Sequence, residues 1–384
     1  MKIAFFGSSL VSAYWNGAAT YYRGIIRALH QLGHQITFYE PDAYDRQQHR
    51  DIPDPDWARV VVYPAAGEDG VLRALEQARG VDMLVKTSGV GVHDQLLEAA
   101  VLELKEPHTI SVFWDVDAPV TLDRVKTNPL DPFQALIPLY DLILTYGGGE
   151  PVVRGYKSLG ARECVPIYNA LDPDTHHPVG ADERFECDLA LLANRLPDRE
   201  ARIEQFFLAT AEQLPEHRFV LGGSGWADKA MPENVSYVGH VYTRDHNAFN
   251  CSARAVLNVN RDSMVSYGFS PPTRIFEAAG AGACLITDAW EGIETFLTPG
   301  SEVLVAHDAD EVVQHLVSLD QARAKQIGDA ALRRVLAEHT YRHRALQLDE
   351  LIVGAALRGR PLARHGRPQR AAPTKMQVWG APSK

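Results

Sequence analysis

The chain of 384 residues is 46% hydrophobic and 23% charged, a composition typical of soluble globular proteins. The chain is longer than a domain built around one hydrophobic core usually is, which predicts two domains of roughly 150 to 200 residues each. No stretch approaches the ~18 consecutive apolar residues of a membrane span, so no transmembrane segment is expected.

The charge is distributed unevenly. Residues 358–384 contain seven basic residues and no acidic one, which leaves 31 basic against 49 acidic residues and a formal charge of −18 on the body. Nonspecific nucleic-acid binding depends on neutralising phosphates, so no nucleic-acid partner is expected for such a body. The tail is rich in Pro, Gly and Arg and is predicted to be disordered. It is either inert or in weak contact with an anionic membrane surface, which would make the protein peripheral at the inner membrane.

The four cysteines indicate the compartment. They are scattered singly, without Cys-x-x-Cys spacing, so neither a disulfide framework nor a cysteine zinc site is expected. The apolar run in the opening "MKIAFFGSS" is too short for a signal peptide. A cytoplasmic location is therefore predicted.

The first half alternates short apolar runs with helical patterns. A strand "KIAFFG" precedes a helix from about residue 16 to 32, and the later strands are "QITFYE", "RVVVYP", "VDMLVK", "TISVFW" and "DLILTY". Such alternation predicts an α/β fold with a doubly wound parallel sheet, whose functional loops follow the carboxyl ends of the strands.

The second half repeats this organisation. Its predicted strands are "CDLALLA", "RFVLGG", "VSYVG", "ARAVLNVN", "ACLITD" and "EVLVA". A proline-rich stretch at 165–180 is predicted to be the linker between the domains. We therefore expect an N-terminal domain at 1–170, a C-terminal domain at 171–350 and a basic, disordered tail at 351–384.

Common cofactor and hydrolase motifs are missing. The loop after the first strand, "GSSLVSAYWNG", lacks the G-x-G-x-x-G pattern of dinucleotide-binding proteins. No Walker loop, H-E-x-x-H or G-x-S-x-G pattern occurs. No cofactor and no metal site are expected.

The segment "SPPTRIFEAAGAGACLITD" places charged residues in an otherwise apolar stretch. With Ser270 as N-cap and a proline in the first helical position, a helix would carry Ser270, Arg274 and Glu277 on one stripe. A helix N-terminus, followed by a cation one turn in and a carboxylate one turn further, suits a phosphate and then a sugar hydroxyl. The alternative is a surface ion pair between Arg274 and Glu277.

With these features in place, the chain resembles glycosyltransferases of the GT-B fold, over nearly its whole length to about residue 352. The second half looks most like the spore-maturation-protein (CgeB-type) enzymes, with relatives in the retaining family 4. The stretches that carry the resemblance are "LANRLPDREARIEQF", "YVGHVYTRDHNAFNCSARAVLNVNRDSM", "SPPTRIFEAAGAGACLITD", "HTYRHRA", "VPIYNALDP", "NGAATYYRGIIRALHQLGHQITFYEP", "VFWDVDAP" and "YDLILTYGGG".

The resemblance implies an activity. Two Rossmann-like domains would face each other across a cleft, and a sugar would pass from a nucleotide-diphosphate donor to a hydroxyl acceptor without a metal and with retention. A final helix near residue 341 would cross back onto the first domain. Family 4 enzymes usually carry Glu-x7-Glu; here Glu277 matches the second glutamate, which commonly binds ribose, while Phe269 stands at the first.

Further residues are candidates for the donor site. A departing diphosphate needs cations or oriented N–H groups, which Ser270, Thr273 and Arg274 could supply together with Arg195, Arg199 and Arg261. Gly222 and Gly223 follow a strand and would let the backbone approach the base. The structural alternatives are water-facing arginines at a helix start and glycines in a plain turn.

The acceptor side offers a second group of candidates. A hydroxyl must lose its proton, and the loops after strands of the first domain supply Asp115, Asp117 and His93 as candidate bases. Asp117 could instead cap a helix, and His93 could be structural. A retaining enzyme needs no dedicated base, because the leaving phosphate can take the proton. The candidates for contacts with the acceptor are Trp15, Asn16, Gly17 and Trp114.

Two other functions fit the same pattern. A nucleotide-sugar 2-epimerase would act on the donor alone, and a non-catalytic homologue would bind the nucleotide without chemistry.

Overall fold

The structure, a computed structural model, describes residues 1–14 and 16–357. Two parallel α/β domains follow each other along the chain. The first contains the strands β1 Lys2–Phe6, β2 Gln35–Asp42, β3 Arg59–Pro64, β4 Met83–Thr87, β5 Ile110–Asp115, β6 Leu142–Thr145 and β7 Cys164–Pro166. Its helices are α1 Ala19–Gln31, α2 Asp69–Gln77, α3 Asp94–Glu103, α4 Ala118–Thr127, α5 Pro132–Leu136 and α6 Gly149–Ser158.

The second domain begins after the linker. Its strands are β8 Cys187–Leu192, β9 Phe219–Gly222, β10 Val235–Gly239, β11 Ala253–Asn258, β12 Leu285–Asp288 and β13 Leu304–Ala306. Its helices are α7 Glu200–Ile203, α8 Ala209–Gln213, α9 Thr243–Ser252, α10 Asp262–Tyr267, α11 Thr273–Gly280, α12 Ala309–Ser318 and α13 Gln321–Glu338, and the last helix is α14 Tyr341–Leu357. A π-helical turn, Glu204–Leu208, joins α7 to α8.

Both sheets are doubly wound, as predicted. The strand order is β3-β2-β1-β4-β5-β6-β7 in the first and β10-β9-β8-β11-β12-β13 in the second, with every described pair parallel. In each sheet the order reverses beside the first strand of its domain, where loops splay apart and ligands bind. The twelve predicted strands are confirmed. The prediction missed β7, which occupies the start of the expected linker.

The strands are buried on both faces. In β1, Ile3 and Phe5 join one core cluster while Ala4 and Phe6 join another on the opposite face. This arrangement explains why the strands appear in the sequence as continuous apolar runs.

The last helix returns to the first domain, as the resemblance implied. Tyr341 lies against Gly24 of α1, where a Cβ atom would come within 2.2 Å of its ring. Tyr341, Ala345 and Leu348 belong to the core of the first domain. The expected tail at 351–384 therefore begins inside α14, and residues 358–384 lie outside the described residues. No helix in the described part of the chain is long and apolar enough to cross a membrane.

The carboxyl ends of the two sheets face each other. Gly148 N donates to Phe269 O at 2.9 Å, and the Tyr267 hydroxyl donates to Asp123 Oδ1 at 2.6 Å. The loop after β6 and the segment that joins α10 to α11 therefore meet at the cleft between the domains.

Candidate active site

Helix α11 starts two residues later than expected. It begins at Thr273, its N-cap is Pro272, and Ser270 Oγ donates instead to Gly268 O at 2.9 Å. The expected cap is wrong because each of two successive prolines disfavours helical geometry in the residue before it. No side chain caps this helix start.

Arg274 is the second residue of α11 and has little to neutralise its charge. Its Nη1 reaches Asn258 Oδ1 at 3.5 Å, while its buried Nε has no hydrogen-bond partner. Burial lowers the pKa of this guanidinium, and Glu277 only partly offsets the effect. The two residues form no ion pair in the described part of the chain, so the surface-pair alternative does not apply. An incompletely satisfied, half-buried cation is characteristic of a site for an anion.

Arg199 adds a second such cation. Its Nη2 donates to Asn194 O at 2.9 Å, and its buried Nε has no partner. Burial and the charges of Arg274 and Arg261 together lower the pKa of Arg199 to about 9. We call Arg199, Arg261 and Arg274 the arginine cluster.

Arg261 completes the cluster and reaches across the cleft. Its Nε donates to Asp198 Oδ2 at 2.5 Å, and its Nη1 lies 3.8 Å from Asp117 Oδ2 in the first domain. Arg261 therefore connects the arginine cluster of the second domain to the carboxylate of Asp117 in the first domain.

Asp117 borders the cleft at the end of β5. Its side chain is 39% accessible, and it shares its surroundings with Tyr146, Gly147, Met264 and Ser270. Desolvation raises the pKa of Asp117 to about 6; Arg261 opposes this shift, and Asp115 and Asp198 add to it. Its side chain does not cap α4, so the alternative of a helix cap finds no support.

Asp115 and Trp114 are placed away from the cleft. Asp115 is fully buried; one oxygen accepts from the Tyr156 hydroxyl and the other from Asp117 N at 3.0 Å. Trp114 is 1% exposed, and its Nε1 donates to the Tyr21 hydroxyl at 3.0 Å. Neither side chain can touch a substrate in this arrangement, and Asp115 instead orients the loop of Asp117.

The loop after β1 is held by its own hydrogen bonds. Asn16 is buried, donates to Ser9 O and Ser12 O at 2.8 and 3.0 Å, and accepts from Ser8 Oγ at 3.0 Å. Asn16 therefore shapes the loop, whereas the exposed Gly17 is open to a ligand. Trp15 lies outside the described residues.

His93 precedes α3 in a left-handed conformation, with φ of 58°. Its Nε2 lies 3.0 Å from Ala65 O, so that nitrogen donates to a backbone carbonyl. The side chain is engaged within the first domain.

Close packing explains why Gly222 and Gly223 are glycines, and ion pairs within the second domain occupy Arg195. A Cβ at Gly223 would lie 2.1 Å from Ala193 O, and one at Gly222 would lie 2.8 Å from Val241. Arg195 pairs with Glu200 at 2.7 Å and with Asp228 at 3.0 Å. These residues fit the structural alternative better than a donor contact.

Glu277 lies beside two histidines that the sequence did not single out. The ligand atoms of His176, His246 and Glu277 lie within 4.8 Å of one another. Burial would raise the pKa of Glu277, but His176, His246 and Arg274, with Thr273, outweigh it and hold the pKa below its usual value. The carboxylate is therefore ionised and able to accept hydrogen bonds from a sugar diol.

Phe269 fills the position of the missing glutamate. It adopts φ of 45°, and its ring lies where a Cβ on Gly292 would come within 2.2 Å. A carboxylate does lie against the same loop, because Glu291 Oε2 would be 3.4 Å from a Cβ at Gly268.

A family comparison covers the second half of the chain. Residues 199–350 match the family model described as "Glycosyl transferase-like". No curated protein matches the chain.

Solved structures share the fold over nearly the whole chain. Sucrose-phosphate synthase from Thermosynechococcus elongatus has a TM-score of 0.68 at 16% identity, covering 94% of this chain and 100% of that one. Anabaena HepE, solved with UDP and glucose, has a TM-score of 0.65 at 12% identity, covering 92% and 100%. An alpha-glucosyltransferase in complex with UDP and a 13-mer DNA has a TM-score of 0.66 at 12% identity, covering 92% and 99%. At these identities the likeness establishes the fold.

Proposed function

We propose that this chain, which has the GT-B fold and matches the glycosyl transferase-like family at residues 199–350, transfers a sugar from a nucleotide-diphosphate sugar to a hydroxyl acceptor. The observation that carries the proposal is the arginine cluster at the cleft, where buried guanidinium nitrogens have no partner. A diphosphate would supply the missing negative charge and hydrogen-bond acceptors.

The donor binds mainly to the second domain in this proposal. The arginine cluster and the uncapped start of α11 hold the diphosphate and stabilise the charge that develops as it departs. Glu277 accepts hydrogen bonds from the ribose hydroxyls. We propose UDP as the nucleotide because HepE was solved with UDP and glucose, and transfer that needs no metal at the diphosphate because the guanidinium groups provide the positive charge.

The acceptor binds to the first domain, with its hydroxyl near Asp117 and the loop at Gly17. Closing the cleft excludes water, which would otherwise hydrolyse the donor. Retention of configuration follows the resemblance to family 4. A glycan, a lipid or a small molecule fits better than a nucleic acid, because the body of the chain is strongly acidic. The cytoplasmic location and the membrane contact of the tail stay predictions.

The direct experiment supplies UDP-, GDP- and ADP-sugars with and without a panel of hydroxyl acceptors and follows products by mass spectrometry and NMR. Sugar transfer to an acceptor, with UDP or another nucleotide released, is the expected result. An epimerised donor without an acceptor would identify a 2-epimerase instead. Nucleotide binding without transfer or hydrolysis would identify a non-catalytic homologue, an outcome that Phe269 at the glutamate position would favour.

We expect the Glu277→Ala variant to bind UDP more weakly by about 1 to 3 kcal/mol, the cost of losing hydrogen bonds to a charged acceptor. Isothermal titration calorimetry in metal-free buffer measures the difference. Glu338→Ala is the matched control, since Glu338 pairs with Arg334 on an exposed helix face of the same domain. Equal UDP affinity in the Glu277 variant and the control would remove Glu277 from the ribose site.

A further inference from the structure

Three side chains from separate segments converge beside the middle of α11. His176 belongs to the linker, His246 to α9 and Glu277 to α11, and their ligand atoms lie within 4.8 Å of one another. His176 is 2% exposed, and its Nε2 has no hydrogen-bond partner. The Nδ1 atom of His246 is likewise buried without a partner. We call these three residues the histidine–glutamate cluster.

Hydrogen bonds outside the cluster orient the imidazole of His246 and hold the backbone on either side of His176. His246 Nε2 lies 3.2 Å from Val241 O, and because a carbonyl only accepts, Nε2 carries the proton and Nδ1 presents its lone pair. Asn247 clamps the linker on both sides of His176: its Nδ2 donates to Thr175 O at 2.9 Å, and its Oδ1 accepts from His177 N at 3.3 Å. A backbone carbonyl that orients a ligating histidine is the usual support of a metal site.

We propose that His176, His246 and Glu277 form a binding site for a zinc ion. Two imidazoles and one carboxylate are a donor set that zinc accepts, with the fourth position open to water. Bonds of about 2.0 to 2.2 Å place tetrahedral ligands about 3.4 Å apart, so zinc binding draws the side chains together by roughly an ångström. The ion replaces the missing partners of two buried nitrogens, which is where the free energy of binding arises.

Zinc in this site competes with the nucleotide. This consequence rests on the proposed function, in which the ribose hydroxyls use the carboxylate of Glu277. Zinc occupies one of the two carboxylate oxygens and places a positive charge beside the ribose position. The site is therefore inhibitory and separate from the chemistry of transfer.

The first experiment titrates Zn²⁺ alone into the untagged, metal-free chain by calorimetry. We expect one tight site, weakened by more than about 100-fold in His176→Ala and in His246→Ala, a loss at the upper end of that for a supporting group. His307→Ala is the matched control, because His307 and Glu311 form an exposed pair 2.8 Å apart in the same domain. Co²⁺ reports the geometry, and tetrahedral absorption without a thiolate band is expected. Zinc affinity unchanged in both cluster variants, or a thiolate band, would overturn the proposed site.

The second experiment measures UDP binding with and without saturating Zn²⁺. We expect zinc to weaken UDP binding about tenfold or more in the unmodified chain, in line with the loss of one charged hydrogen bond. His246→Ala corrects for zinc chelation by UDP itself, since it lacks the site. Equal zinc effects in both proteins would overturn the competition. Failure of UDP to bind even without zinc would contradict UDP as the proposed nucleotide and leave the zinc site standing.

Discussion

Replacing Arg274 with methionine is expected to lower the turnover of the nucleotide sugar by about 10²- to 10³-fold, the usual cost of removing one group that stabilises a departing anion. Arg274 donates to Asn258 only at 3.5 Å and leaves Nε unpaired, so its removal costs the folded protein little hydrogen bonding. Steady-state kinetics with the donor identified in the substrate screen provide the measurement.

The same replacement is expected to raise the melting temperature of the ligand-free protein. Burial lowers the pKa of Arg274, and its charge also lowers the pKa of Arg199, so the folded state bears a cost for both cations. Methionine fills similar space without that cost. Loss of activity combined with a gain in stability is the signature of a residue kept for ligand binding.

Arg195→Met is the matched control for this prediction. Arg195 comes from the same region, but Glu200 and Asp228 already neutralise it. We expect nearly unchanged UDP binding, because the positive charge of Arg195 is already neutralised by those pairs and is not available to a phosphate. If Arg274→Met retained full turnover while Arg195→Met lost it, the assignment of the diphosphate to the arginine cluster would be wrong.

The fold was predictable because each strand is sandwiched between helices. β1 buries Ile3 and Phe5 on one face and Ala4 and Phe6 on the other. Because both faces are buried, consecutive residues of the strand must be apolar, and this run is visible in the sequence. The strand Cys164–Pro166 was missed because it ends in a proline and runs into a proline-rich stretch, a pattern that favours a linker. Its pairing with β6 depends on tertiary structure.

The donor side was partly predictable from helical spacing. Arg274 and Glu277 share one side of α11, and a cation there stands out among apolar neighbours. His176 and His246 could not be found in the same way, because they are 70 positions apart and meet only when the linker folds against α9. The signal available in the sequence was limited to two adjacent histidines, His176 and His177, in a proline-rich linker and one histidine on a polar helix.

On the acceptor side, Trp114 and Asp115 were predicted to face the substrate and are buried instead. The segment "SVFWDVDAP" suggested that both Trp114 and Asp115 emerge from the sheet into a loop. In the structure β5 extends through Asp115, and Tyr156 of α6 covers its carboxylate. Of the three candidates in this segment, Asp117 is the one that reaches the cleft. The point at which helices stop covering a strand is set by packing between distant parts of the chain.

Replacing Asp117 with asparagine is expected to lower turnover by about 10²- to 10⁴-fold, the range that one positioned general base contributes. Asparagine keeps the size and an oxygen acceptor but cannot take a proton from the acceptor hydroxyl. Donor affinity should change little, because Asp117 lies in the first domain and only its 3.8 Å approach to Arg261 links it to the donor side.

The pH dependence tests the same assignment independently. Desolvation raises the pKa of Asp117 to about 6, so the carboxyl is protonated below that pH and ionised above it. A base works only when ionised, and the kcat/KM of the unmodified enzyme should therefore rise with pH through about 6 and level off. The profile of Asp117→Asn should be flat there.

The anomeric configuration of the product determines how the Asp117→Asn kinetics and the pH profile are interpreted. With a retained configuration, the leaving phosphate can take the proton. An Asp117→Asn enzyme with an unchanged rate and pH profile would then show that the Asp117 carboxylate has only a structural role. With an inverted configuration, direct displacement requires a base on the acceptor side, and Asp117 is the ionisable carboxylate that faces Arg261 across the cleft. NMR of the product formed from a donor of known configuration, run beside the variant kinetics, therefore separates proton transfer from loop geometry. A large loss of turnover with a retained product would assign Asp117 to binding and orienting the acceptor hydroxyl, provided that the acceptor KM rises in the variant.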